Sequence, residues 1–123
     1  MLDMNPEIRA RWTAALRSGD YQQGRKTLHD GDEFCCLGVL CDLAVRGGVP
    51  INVSAPPEDA ALSIWIYDSC TDFLPESVYR WAGLAHYNPE IRIQGELENL
   101  VALNDDLRLT FAEIADAIDG GAS

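Results

Sequence analysis

Hydrophobic positions in this chain recur mostly at helical spacing, with short β-branched and aromatic runs between them. Ile8, Trp12, Ala15 and Leu16 follow Asn5-Pro6-Glu7, where a capping residue precedes proline at the first helical position and an acid sits in the first turn. This predicts a helix that ends at Ser18-Gly19. In "RKTLHDGDEFCC" the Asp30-Gly31 pair is a favoured tight turn, so residues 25–36 read as a hairpin between Thr27-Leu28 and Phe34-Cys35. Cys36, Val39, Leu40 and Leu43 form one stripe of a second helix, which stops at Gly47-Gly48-Val49-Pro50. Leu37 and Cys41 widen that stripe to most of the circumference, and Gly38 would let another element approach closely.

Residues 49–61, rich in proline and small side chains, read as a surface loop, and "LSIWIYD" (62–68) reads as a strand. Pro75 opens a short helix that Gly83 closes, and Glu96 to Asn104 is expected to be helical. Thr110 and Glu113 make a capping box, after which Phe111, Ile114, Ala115 and Ile118 share one face of a last helix. The pentapeptide "NPEIR" occurs at Asn5–Arg9 and Asn88–Arg92 without a surrounding repeat; the first copy opens a helix and the second leads through "IRIQG" into a turn and short strand. The expected fold is one α+β domain over 1–123, dominated by helices. Its small antiparallel sheet comes from the 25–36 hairpin and the 62–67 strand, and loose ends are expected at about 1–4 and 120–123.

Composition adds little to this picture, but charge adds more. At 123 residues, 47% of them hydrophobic, the chain is long enough for one core that needs no metal or disulfide. It has no apolar leader and no run near the roughly 20 residues that a membrane span needs, so a cytoplasmic protein with reduced thiols is expected. The net charge of -11 argues against direct binding to nucleic acid. Residues 1–26 nevertheless hold five basic and three acidic groups, a balance of +2, whereas the other 97 residues hold four basic and 17 acidic groups, a balance of -13. A small anion therefore has a local basic site on an acidic protein.

Three of the four cysteines fall in "FCCLGVLC". A zinc site would pair its ligands at spacings of two to four residues; Cys35 and Cys36 are adjacent, so no metal is expected. A nucleophile at the start of the second helix would gain from the helix dipole and would need His29 or His86 as its base. Core packing is the third reading and the one that best fits the apolar stripe.

The segments "RARWTAALRSGDYQQGRKTL", "FCCLGVLCDLA", "LPESVYRWAGL" and "LVALNDDLRLTFAEIADAID" together resemble a family of small bacteriophage and prophage proteins of unassigned function. The family is marked by an FCCLGVLCDL-type motif and a C-terminal LND…TFAEIADAI-type motif. The likeness covers the chain up to residue 44 and most of 74–119. Residues 45–73 have no counterpart in it, and "NDDLRLTF" stands where the family has a short turn containing glycine and serine. The resemblance implies a phage or prophage origin and life in the cytoplasm of an infected or lysogenic host cell. It supplies no catalytic residues and no cofactor.

By analogy of setting, small phage proteins include counter-defence factors that hold a host nucleotide signal without cleaving it. Such a site needs cations for phosphate and a ring for a base. In "GDYQQGRKTL", Arg25 and Lys26 would hold phosphate, Tyr21 would stack, and Gln22 and Gln23 would read polar edges. Arg9 could join from the first helix; Trp12, one turn on, reads as core, and Tyr79 and Trp81 carry the same ambiguity. Two other readings stay open, an inhibitor that docks on a host protein through its acidic surface and a cysteine hydrolase. Assembly of the chain with copies of itself also stays open.

Overall fold

In a computed structural model, which describes residues 2–59, 61 and 63–120, the chain is a helix-dominated α+β domain with small, mainly antiparallel sheets. Helix α1 (Pro6–Ser18) starts where Asn5 accepts hydrogen bonds from the amides of Glu7 and Ile8, and it ends at Gly19 with φ 82°. Strands β1 (Gln22–Gln23), β2 (His29–Asp30) and β3 (Glu33–Phe34) form one sheet in the order β1-β3-β2. β2 and β3 are the expected hairpin, with Asp30 opposite Glu33 and Gly31 at φ 61° in the turn. Thr27 and Leu28 lie just before it. β1, expected as loop, joins the sheet parallel to β3.

Helix α2 (Cys36–Arg46) is the centre of the core: Cys36, Leu37, Val39, Leu40, Cys41 and Ala44 are all buried. Gly38 faces the chain just before the hairpin, and a Cβ built there would stand 1.7 Å from the Leu28 carbonyl oxygen. That oxygen also accepts the Cys35 amide, so strand and helix meet backbone to backbone. Trp12 is fully buried against α2 and donates its indole N–H to the Cys36 carbonyl at 3.0 Å, as the core reading of that residue required.

Of the expected 62–68 strand, Leu62 lies outside the described residues, and regular pairing is confined to β5 (Ile66–Tyr67), antiparallel to β4 (Val53–Ser54). Just before β5, the chain runs along β2: Gly31 donates to Ser63, and Trp65 donates to His29. Residues 63–65 thus cover the free β2 edge of the first sheet. Helix α3 (Glu76–Trp81) ends near Gly83, whose φ of 76° and contact with the Asn5 amide leave no room for a side chain.

The expected helix from Glu96 to Asn104 is half strand. Glu90–Ile93 (β6) and Glu96–Asn99 (β7) pair in a full antiparallel register across Gln94-Gly95, both at positive φ. Only Leu100–Asp105 (α4) is helical. A two-residue turn with both centres left-handed closes a hairpin, and this cross-strand pairing outweighs the helix preference of "ELEN". Helix α5 (Phe111–Ile118) has the expected capping box and packs on α1, where Arg17 bonds Asp116 and Asp119 at 2.8 and 3.0 Å. Leu2 and Met4, at the expected loose start, are buried, and the Leu2 amide donates to Ile118.

Candidate functional site

The basic loop after α1 is fixed by a residue 80 positions away. Asn104, in the last turn of α4, is fully buried and makes four hydrogen bonds. Its Oδ1 accepts from Gln23 Nε2 at 3.0 Å and from the Cys36 amide at 3.3 Å; its Nδ2 donates to the Gly24 carbonyl and to Asp105 Oδ1, each at 2.8 Å. That is the capacity of a carboxamide with one bond to each hydrogen and lone pair. The Cys36 amide is one of the donors that a helix start leaves without an intrahelical partner, and the N-cap Cys35 offers no side-chain cap. Asn104 supplies that cap from another helix.

The same network sets the exposed end of the loop. Asp105 Oδ1 also accepts the Lys26 amide at 3.0 Å, which holds Lys26 at φ 74°, a left-handed conformation uncommon outside glycine. Gln22, Arg25 and Lys26 are exposed. Gln23 is turned inward, with a second bond to the Leu109 carbonyl at 2.8 Å. Tyr21 is half-buried, edge-on to Phe34 with ring centroids 5.1 Å apart, and its hydroxyl donates to Asp42, which also binds Arg46. Burial, reinforced by Asp42, pushes the Tyr21 hydroxyl up to about 12.

Arg9 stands apart from this group. It is paired with Asp119 at 4.0 Å, on the α1–α5 side of the molecule. Of the six residues read from the sequence, Gln22, Arg25 and Lys26 share an open surface, Tyr21 borders it, Gln23 anchors it from within, and Arg9 belongs to a different contact. Asn104 and Asp105, which organise the loop, lie where the sequence predicts no more than the end of a helix at Asn104. Nothing local in "NDD" distinguishes a buried asparagine from a surface one.

The cysteines sit in the opposite environment. Cys35, Cys36 and Cys41 are buried, and burial dominates their acidity. It pushes the Cys35 thiol up to about 12, against the lowering effect of the Gly38 and Leu37 amides at the start of α2. It raises Cys36 and Cys41 well above the usual thiol range. The helix terminus acts in the direction a nucleophile needs, but desolvation outweighs it. His29 is stacked between Phe34 and Trp65, at 3.9 and 4.7 Å, with Nδ1 bonded to the Tyr67 hydroxyl at 2.9 Å. His86 Nδ1 lies 3.2 Å from the Asn88 amide. Neither imidazole serves a thiol. Among the described residues no group of three or more His, Cys, Asp or Glu side chains could hold a metal, and no helix is long and apolar enough to cross a membrane.

These features describe a small α+β domain with a basic loop anchored by hydrogen bonds and a core that holds three buried cysteines. The chain belongs to the family described as a domain of unknown function, DUF8296, which matches residues 4–121. No curated protein and no solved structure matches it.

Proposed function

We propose that this is a binding protein of phage or prophage origin that sequesters a nucleotide-derived signal, uncleaved, in the host cytoplasm, using the exposed face of the Tyr21–Lys26 loop. The observation that supports this reading is the anchoring of the loop: Lys26 is held at φ 74° by Asp105, beside the exposed Arg25, through a network centred on buried Asn104. A loop already fixed in place loses little conformational entropy when it closes on a phosphate. Arg25 and Lys26 supply the cations, Gln22 a polar contact and the Tyr21 ring an apolar edge, while Gln23 and Arg9 act elsewhere.

Thermal unfolding against linear and cyclic nucleotides, including ADP-ribose-type signals, tests the reading, with mass spectrometry of the recovered ligand. A ligand at about 100 times its dissociation constant adds about 2.7 kcal/mol, several degrees of midpoint for a domain of this size. Arg25→Ala removes the shift and leaves the unliganded midpoint in place. No shift across the panel overturns the reading, and so does recovery of cleaved ligand.

The charge distribution supports a second reading, an inhibitor that docks on a host protein through its acidic surface, since residues 27–123 carry a balance of -13. Its partner binds with strong salt dependence and is indifferent to Arg25→Ala.

A further inference from the structure

The β6–β7 hairpin uses only one edge of β6. Its turn, Gln94-Gly95, holds both residues left-handed, and a two-residue turn of this kind is closed by a hydrogen-bonded pair, here Ile93 and Glu96. Backbone groups alternate along a strand, so those of Ile91 and Ile93 point at β7; the Pro89 carbonyl, in step with them, accepts the Leu100 amide at 2.9 Å. The N–H and C=O groups of Glu90 and Arg92 therefore point the other way. Among the described residues no strand pairs with that second edge, and no backbone bond reaches either residue from it.

A cavity of about 520 Å³ lies along the same edge. Pro89, Glu90, Ile91 and Arg92 all line it, and consecutive residues of a strand, whose side chains alternate between faces, share a cavity where it runs along the strand's edge. Ile91 is buried and marks the inward face; the other buried apolar residues around the cavity include Leu2, Leu84 and Ala117. Glu90 and Arg92 are exposed on the outward face, and neither is in an ion pair among the described residues. Unpaired backbone along an open edge is a template for another strand.

We propose that the strand this edge takes is β6 of a second copy of the chain, running antiparallel across a two-fold axis. Such a register must set the outward-pointing residues opposite one another, which leaves few choices within so short a strand. Glu90 opposite Glu90, or Arg92 opposite Arg92, brings like charges together. With the axis at Ile91, Glu90 of each copy faces Arg92 of the other, so opposite charges meet at both ends of the seam. The two Ile91 side chains then meet on the inward, apolar face. Glu90-Ile91-Arg92 is its own complement in charge, in backbone direction and in the alternation of faces, and it joins two two-stranded sheets into one. The seam shares no residue with the Tyr21–Lys26 loop and is independent of the sequestration reading.

Sedimentation equilibrium of the full chain at physiological salt tests the proposal, carried up to about 1 mM because a seam of a few backbone bonds and exposed ion pairs is of the weak, transient class. A monomer–dimer equilibrium is expected. Arg92→Glu and Glu90→Arg each set like charges opposite and weaken it about tenfold, whereas the two substitutions together restore it to within about threefold. All three variants keep the wild-type unfolding midpoint, since both positions are exposed. Amide hydrogen exchange reads the register: the Glu90 and Arg92 amides gain protection as concentration rises, while those of Ile91 and Ile93 are protected throughout. Arg25→Ala leaves the association unchanged. A monomer over the whole concentration range overturns the proposal. So does a dimer whose Glu90 and Arg92 amides stay unprotected, or one that the single charge reversals do not weaken or the double reversal does not restore.

Discussion

Replacing Asn104 with alanine should be among the most damaging polar substitutions in this protein, and its effect can be worked out bond by bond. Gln23 keeps its second bond to the Leu109 carbonyl, and Asp105 is partly solvated and keeps the Lys26 amide, so those two partners lose little. The Cys36 amide and the Gly24 carbonyl are different: both residues are buried, and both lose the carboxamide. A buried backbone group left without a partner costs about 1–3 kcal/mol, so the pair, with the small void left by the amide, comes to about 3–5 kcal/mol. That is a large share of the roughly 5–15 kcal/mol that holds a domain together. Urea unfolding reads it directly: at an unchanged slope of about 2 kcal/mol per molar, the midpoint falls by about 2 M. Amide hydrogen exchange supplies a local check, because the Cys36 N–H loses its protection. Asn104→Asp keeps the acceptor but removes the donors and sets a second carboxylate beside Asp105, so it should destabilise at least as much. A loss below about 1 kcal/mol for the alanine variant would refute the role assigned to the network.

Other substitutions and conditions probe separate parts of the structure. Gly38→Ala places a methyl group 1.7 Å from the Leu28 oxygen, so strand and helix must separate; the loss should exceed about 3 kcal/mol in chemical unfolding, and a near-neutral result would mean that the two backbones are not in contact. A thiol reagent at mildly alkaline pH should modify half-buried Cys70 in the native protein and reach Cys35, Cys36 and Cys41 only after denaturation; rapid native labelling of Cys35 or Cys36 would reopen the nucleophile reading. His29 titrates below its usual 6.5 because burial outweighs the Gly31 backbone bond and the fields of Asp42, Asp32 and Asp30. Just below 6.5 the unfolded chain therefore binds more protons than the native one, and this contribution to stability is lost as pH falls. Between about pH 7.5 and 5.5 the urea midpoint of a His29→Gln protein should fall less than that of the wild type, and equal slopes would show that His29 is not the titrating group.

Local signals carried most of the helical framework. Asn5-Pro6 and the Thr110–Glu113 box mark helix starts because a side-chain oxygen satisfies amides two or three residues away, and Gly19 and Gly83 mark stops because they take left-handed φ at little cost. The apolar stripe from Cys36 likewise foretold a buried helix with a glycine contact, since helical spacing alone fixes which side chains share a face. These are interactions within a turn or two of chain.

What the tertiary structure alone decided is longer in range. "ELEN" became a strand because Glu90–Ile93 lay beside it to complete a register. The Gln22–Gln23 segment became a strand because β3 offered its free edge, and residues 63–65 cover the other side of that sheet. The candidate site divides in the same way. Its basic residues and their exposure can be read in "GDYQQGRKTL", but the inward turn of Gln23, the tie between Tyr21 and Asp42, and the assignment of Arg9 to Asp119 all depend on partners far along the chain. Asn104 shows why: a buried carboxamide is chosen by the four groups the fold brings around it, and no pattern of neighbours in sequence encodes where those groups will be.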